Sequence, residues 1–182
     1  MNKTSVGILT GSLRRESFSR KTALYLAGLL EERFEVRFFD IAPLEMYNQD
    51  LESDPPQSWL RFREQVKAAD AVLFVTPEYN RSLPPVLKNA IDIASRPYGA
   101  NAWSGKPGAV VSISPGGIGG FGANHHLRQV AAVLNIHMLQ QPEAYLGGIA
   151  GLTDENGIAD ESAREFLQKL AKAFAEWIDR LA

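Results

Sequence analysis

The sequence predicts a doubly wound α/β fold with a five-stranded parallel sheet in the order 2-1-3-4-5. Three observations carry that prediction. Strand-type and helix-type segments alternate along the whole chain. The run Ala71-Val72-Leu73-Phe74-Val75 is continuously apolar, as in a parallel strand covered on both faces. The three loops richest in glycine, proline and hydroxyls follow the first, third and fourth strands. Right-handed crossovers make these three strands neighbours, so their loops meet at the switch point where this class of sheet binds ligands.

The elements follow in order. An apolar strand over residues 5–10 leads into Gly11-Ser12-Leu13-Arg14-Arg15-Glu16-Ser17-Phe18-Ser19-Arg20. A helix over residues 19–32 places Ala23, Leu26, Ala27 and Leu30 on one face. A strand that turns through glycine and hydroxyls into a helix suits phosphate, because the first-turn amides are unpaired and the helix dipole is positive there. Ser12, Ser17 and Ser19 can donate hydroxyl hydrogen bonds, and Arg14 or Arg15 a charged fork. The plainer reading of the same residues is a helix N-cap at Ser17 or Ser19 with arginines facing solvent.

The second strand, residues 35–40, is interrupted by charges and reads as an edge. A long polar and proline-rich connection, residues 41–57, precedes a helix with Trp59, Phe62, Val66 and Ala69 on one face. After the third strand comes Thr76-Pro77-Glu78-Tyr79-Asn80-Arg81-Ser82-Leu83-Pro84-Pro85, with Pro85 suited to the first turn of the next helix. The fourth strand, residues 108–113, opens into Ser114-Pro115-Gly116-Gly117-Ile118-Gly119-Gly120-Phe121-Gly122 and then a helix over 124–134. A short fifth strand is expected at 136–139. From Ala163 an amphipathic helix turns Phe166, Leu167, Leu170, Phe174, Trp177, Ile178 and Leu181 inward.

Composition narrows the chemistry. The 182 residues carry 19 Lys plus Arg and 21 Asp plus Glu, a net charge of −2 that offers nucleic acid no electrostatic footing. There is no cysteine, so disulfides, thiolate catalysis and Cys-based metal sites are excluded. Apolar stretches are too short for a bilayer span, and no signal-peptide core stands at the N-terminus, so a cytoplasmic, membrane-free location is expected. Without linker or repeat, residues 1–182 read as one domain.

Gly117-Ile118-Gly119-Gly120-Phe121-Gly122 matches the dinucleotide pattern G-x-G-x-x-G. Those glycines belong after the first strand of a dinucleotide-binding domain, with further βαβ units behind them. Here they follow the fourth strand, and the only acid in range of the required position is Glu143, beside Pro142. A flexible glycine loop is the better reading. His125 and His126 are adjacent on a helix and point about 100° apart, so they make no i, i+4 metal pair. No metal site is expected, and His137 reads as an ordinary histidine at a strand end. Lys88 and Asp92 at i, i+4 suggest a surface ion pair. Glu78 suits either a cap on the following helix or a pair with Arg81.

Three spaced motifs together carry a resemblance: Gly11-Ser12-Leu13-Arg14-x-x-Ser17, Thr76-Pro77-Glu78-Tyr79-Asn80 and Leu87-Lys88-Asn89-Ala90-Ile91-Asp92. The chain resembles the NAD(P)H-dependent FMN reductases, most of all their bacterial quinone, azo and chromate reductase branch. The resemblance implies a flavodoxin-like fold, FMN as cofactor, NAD(P)H as hydride donor, a small-molecule acceptor and a homodimer or homotetramer. It implies that Ser12, Arg14, Ser17, Phe18 and Ser19 surround the FMN phosphate. Ser19 stands where the family often has asparagine. Pro77, Glu78, Tyr79 and Asn80 would line the flavin ring, and Ser114, Pro115, Gly116 and Gly117 its other edge. No side chain is expected to act as an essential acid or base, since hydride transfer is chemistry the cofactor carries. Two other classes share these features: an FMN electron carrier that does not use NAD(P)H, and an FMN-free binding protein on the same fold.

Overall fold

The computed structural model describes residues 3–182; Met1 and Asn2, the first residues of the expected domain, lie outside it. The elements run β1 (Ser5–Thr10), α1 (Phe18–Glu31), β2 (Glu35–Phe38), a 3-10 turn (Gln49–Ser53), α2 (Gln57–Ala68), β3 (Ala71–Pro77), α3 (Pro85–Ala94) and β4 (Pro107–Ile113). They continue with α4 (Phe121–Val133), β5 (His137–Met138), β6 (Ala144–Leu146), the single turn α5 (Ile149–Leu152), β7 (Thr153–Asp154), β8 (Gly157–Ile158) and α6 (Glu161–Leu181).

The main sheet is parallel, in the expected order β2-β1-β3-β4-β5. Strands β1, β3 and β4 sit in the middle and are buried along nearly their whole length, which is why they read as unbroken apolar runs. On one face Leu26 and Leu30 of α1 meet Leu167, Leu170 and Phe174 of α6 across Val6, Ile8 and Val75. On the other, Trp59 and Phe62 of α2, Leu87 and Ile91 of α3 and Leu127 of α4 pack on Leu9, Val72 and Phe74.

The fifth strand falls within the expected residues 136–139, but a second piece completes it. It is split into β5, beside Pro107 and Gly108, and β6, beside Val111 to Ile113. A buried polar network holds the break. Asn124 Nδ2 donates to Ser112 Oγ and the Ala144 carbonyl, each at 3.2 Å, and its Oδ1 accepts from Arg128 Nε at 3.0 Å. Arg128 Nη1 donates to the Leu139 carbonyl at 2.9 Å, and Ser112 Oγ to the Gly119 carbonyl at 2.8 Å. Both halves of the strand are thus tied to α4 by side chains.

Smaller differences have local causes. Helix α4 begins at Phe121, three residues before expectation, because Glu78 Oε2 accepts the Ala123 N–H at 3.2 Å. Helix α6 begins at Glu161, where Asp160 caps it by accepting from Ala163 N at 2.8 Å. Its final turn carries Leu181 past the end of the core, so that residue is exposed, not inward-facing. Strand β2 stops at Phe38, and the long connection is pinned to α3 by Asn89, whose side chain bonds Tyr47 N and the Glu45 carbonyl.

Candidate functional site

The three loops predicted to meet do so, at the carboxyl ends of adjacent strands. Thr10 pairs with Val75, and Pro77 with Ile113. Gly11 N donates to the Val75 carbonyl at 2.9 Å. A Cβ on Gly11 would lie 2.6 Å from Thr76 Oγ1, so glycine is what lets the first loop leave β1 against β3.

In the first loop Ser12 Oγ accepts the Arg14 N–H at 3.3 Å, shaping the turn, and the Arg14 side chain stands exposed. Ser17 is the N-cap of α1 and accepts from Arg20 N at 3.2 Å. The amides of Phe18 and Ser19, earlier in that first turn, have no partner within the helix. Phe18 packs its ring on the core, and its carbonyl accepts from Thr22 Oγ1 at 2.9 Å. Ser19 is 1% exposed, and its Oγ is a buried side-chain atom with no hydrogen-bond partner. Burying an unsatisfied hydroxyl costs about 1–3 kcal/mol, so a native chain retains one where something outside it supplies the partner.

The second loop is a two-residue turn. Tyr79 and Ser82 exchange both backbone hydrogen bonds, at 3.0 and 2.9 Å, around Asn80 and Arg81 with φ of 50° and 65°. Two left-handed residues make this a type I′ turn. Glu78, whose side chain is only 9% exposed, pairs with Arg81 at 3.0 Å and also caps α4 through Ala123 N. Of the two alternatives the Arg81 pair forms, and the helix Glu78 caps is α4, not the following α3. Pro77 is half-buried, and Tyr79 and Asn80 are exposed beside it. The Lys88–Asp92 pair forms at 2.8 Å on α3.

In the third loop Ser114 Oγ accepts the Gly116 N–H at 3.1 Å. That bond engages one of the two amides the sequence offers to a cofactor, leaving Gly117 N–H without a partner among the described residues. Pro115, Gly116 and Gly117 are exposed. Gly148 N donates to the Gly116 carbonyl at 3.3 Å and Ile149 N to the Ser114 carbonyl at 3.1 Å, so the segment after β6 braces this loop from behind. The sequence reasoning passed over that brace, although the Gly147-Gly148 doublet marks it. It also passed over an aromatic cluster at the loop's far end. His125 lies 4.0 Å from the Phe121 ring, and its Nε2 is 3.0 Å from Tyr145 Oη. Burial first, and then the neighbouring Glu143 carboxylate, push the Tyr145 hydroxyl pKa up, so it stays protonated well past neutral pH. His126 Nδ1 lies 3.0 Å from Ser82 Oγ, on the other side of α4.

The arrangement offers an anion cradle at the first loop and a flat wall with close-approaching main chain at the other two. The G-x-G-x-x-G segment follows β4, the fourth strand, and leads through α4 to the two-residue β5, so it does not stand after the first strand as a dinucleotide-binding fingerprint does.

A sequence profile described as "NADPH-dependent FMN reductase" matches residues 4–151. A "Quinone reductase" of Pseudomonas putida is 53% identical over 175 residues, covering 96% of this chain and 94% of the relative. A "2-hydroxy-1,4-benzoquinone reductase" of Burkholderia sp. is 45% identical over 174 residues, covering 95% of each. Among solved structures, FerB of Paracoccus denitrificans, a flavoenzyme NAD(P)H:(acceptor) oxidoreductase, superposes with a TM-score of 0.91 at 42% identity, covering 97% of this chain and 98% of its own. An archaeal flavodoxin shares the fold, with a TM-score of 0.63 at 10% identity over 97% of this chain and 99% of that one. The chain belongs to the NADPH-dependent FMN reductase family.

Proposed function

We propose that this chain is an FMN-containing oxidoreductase that takes a hydride from NAD(P)H and reduces quinones or similar flat acceptors, azo dyes and chromate among them. Residues 1–182 form one FMN-binding domain, acting in the cytoplasm. The observation that carries the reading is Ser19 Oγ, buried and unpartnered in the first turn of α1. A phosphate there accepts from that hydroxyl and from the free first-turn amides. Ser12, Arg14, Ser17, Phe18 and Ser19 hold the phosphate; Pro77, Glu78, Tyr79 and Asn80 wall one side of the ring; Ser114, Pro115, Gly116 and Gly117 follow its other edge. FMN, when bound, supplies the hydride relay between donor and acceptor.

The chain's own task is positioning and charge stabilisation. Gly117 N–H is free to face negative charge at the ring edge, and Ser114 holds the Gly116 amide in place behind it. An FMN electron carrier without direct use of NAD(P)H is the alternative. The arginines around the phosphate loop and a net charge of only −2 argue against it. Anaerobic titration of the yellow protein with NADH and NADPH decides the matter: bleaching without a partner enzyme is expected, and its absence with both donors overturns the reductase reading.

Arg14→Ala should weaken FMN binding roughly 10–100-fold, the size of one hydrogen bond to a charged group. Flavin fluorescence titration measures it, and unchanged affinity removes Arg14 from the cradle. The subunits should form at least a homodimer, because α3 and α4 flank the site and leave apolar surface between them, with Val133 81% exposed beside Leu83 and Val130. A monomer at micromolar concentration in sedimentation would contradict this.

No acid or base is required of the side chains. His125→Ala, His126→Ala and Glu78→Gln, each with FMN bound, should keep stopped-flow flavin reduction within about tenfold of the parent, whereas a true acid or base contributes roughly 10²–10⁴-fold. A hundredfold loss in any one, with the fold intact, would identify a proton carrier.

A further inference from the structure

The β7–β8 hairpin carries the only Asn-Gly step in the sequence, Asn156-Gly157. Its ladder has just two pairs, Thr153 with Ile158 and Asp154 with Gly157. A ribbon so short is marginal by itself and opens easily. Asn156 is exposed in the turn, and its side-chain amide makes no hydrogen bond among the described residues. Gly157 has a φ of 133°, and nothing lies within 4 Å of where a Cβ would stand. Its backbone nitrogen is therefore open to the preceding side chain. The other asparagines lack this combination. Asn89 and Asn124 are buried, while the exposed Asn80 and Asn135 precede Arg81 and Ile136, whose side chains crowd the following amide.

Two features of the fold favour a reaction at that step. Asp154 Oδ1 accepts the Asn156 N–H at 2.7 Å and the Gly157 N–H at 3.0 Å, so a carboxylate already holds the proton that Gly157 would lose. Cations grip both strands of the hairpin. Lys21 Nζ donates to the Asp154 carbonyl at 2.6 Å and Arg164 Nε to the Ile158 carbonyl at 2.7 Å, and neither side chain has an ion-pair partner among the described residues. Their field favours negative charge developing at the turn. We propose that Asn156 is a site of spontaneous deamidation, with Asp154 as the base. The Gly157 nitrogen bonds to Asn156 Cγ as its proton passes to Asp154. The Cγ–Nδ2 bond breaks, and the nitrogen leaves as ammonia, taking that proton. A water molecule then opens the resulting succinimide at either carbonyl, leaving aspartate or isoaspartate at position 156. The product adds one negative charge to a chain of net charge −2. The new carboxylate stands in a groove lined also by Arg15, Lys21 and Arg164, so the acidic form is stable in the folded protein.

The test stores the purified full-length chain, warm and at mildly alkaline pH, and follows it by isoelectric focusing and peptide mapping. An acidic form should accumulate, and its change should map to residue 156 as a mixture of aspartate and isoaspartate. Enzymatic methylation of the isoaspartyl carboxyl identifies the second product. Asn156→Gln should keep the parental charge, because its longer side chain would have to close a larger ring. Asp154→Asn keeps an oxygen to accept both turn amides but removes the base, so conversion should slow severalfold while the melting temperature stays that of the parent. An acidic form that maps to another asparagine, or that appears equally in Asn156→Gln, overturns the proposal. Equal conversion of the parent and Asp154→Asn overturns it as well, since Asp154 would then have no part in the step. So does a chain that holds its charge while a free peptide of residues 153–158 converts, because the hairpin would then protect the site.

Discussion

Gly147→Ala should weaken FMN binding about 5–150-fold while the protein still folds. A Cβ at Gly147 would run into the carbonyl oxygen of Gly117, lie 2.8 Å from its carbonyl carbon and stand 3.1 Å from the Gly116 carbonyl oxygen. All three obstacles are backbone, so no side chain can rotate aside. The Gly116–Gly117 segment must move instead, and overpacking of this kind costs about 1–3 kcal/mol, which sets the fold-change. The displaced segment is the one proposed to offer Gly117 N–H to the ring. The loss should therefore fall on the cofactor more than on the fold. Gly151→Ala is the control: it lies four residues further on, with nothing within 4 Å of its would-be Cβ. Fluorescence titration of FMN into both apoproteins, with thermal melts alongside, makes the comparison. Parent-like affinity in Gly147→Ala would show that the third loop does not position the flavin.

The Gly147-Gly148 doublet marks a turn in the sequence, but what that turn braces is not written there, for a physical reason. Gly116 and Gly147 meet only because β6 pairs with β4 in a register set by side chains far apart in the chain. The central strands were legible because burial on both faces writes itself as an apolar run, Ala71 to Val75 being the clearest case. The phosphate loop was legible because its chemistry is local: glycine at the strand exit, then the Ser17 cap, then α1. Only the first half of the fifth strand was legible: β5 falls within the expected 136–139, whereas the three residues of β6 are too few for any periodicity and are held by Asn124. The start of α4 was hidden in the same way. Its cap, Glu78, comes from a loop 45 residues away. Ser19 reads in sequence as one more helix-capping serine, and only the structure shows its hydroxyl buried without a partner.

Asn124→Leu should destabilise the protein by about 2–4 kcal/mol. Asn124 is fully buried, and leucine keeps the branched arrangement of side-chain heavy atoms, with somewhat more bulk, while removing every polar atom. Two donations from Nδ2, to Ser112 Oγ and the Ala144 carbonyl, disappear, as does the acceptor for Arg128 Nε. Ser112 Oγ keeps its donation to the Gly119 carbonyl at 2.8 Å, so the two sides of the network do not fail together. The Arg128 guanidinium loses one of its two fixed points and keeps only the Leu139 carbonyl. A neutral buried hydrogen bond is worth about 1 kcal/mol, one to a charged group about 1.5–3 kcal/mol, and a stranded buried partner adds its own penalty. A melting temperature lower by roughly 4–16 °C follows for a chain of this size. The substitution also frees the junction between β5 and β6, so amide exchange should quicken at Leu139 to Leu146 more than in β1 or β3. Asn124→Asp separates the parts of the effect, because a carboxylate still accepts from Arg128 but cannot donate to Ala144. It should fall between the parent and Asn124→Leu in stability if the Arg128 contact dominates. A melting temperature for Asn124→Leu within 2 °C of the parent would show that packing alone holds the split strand.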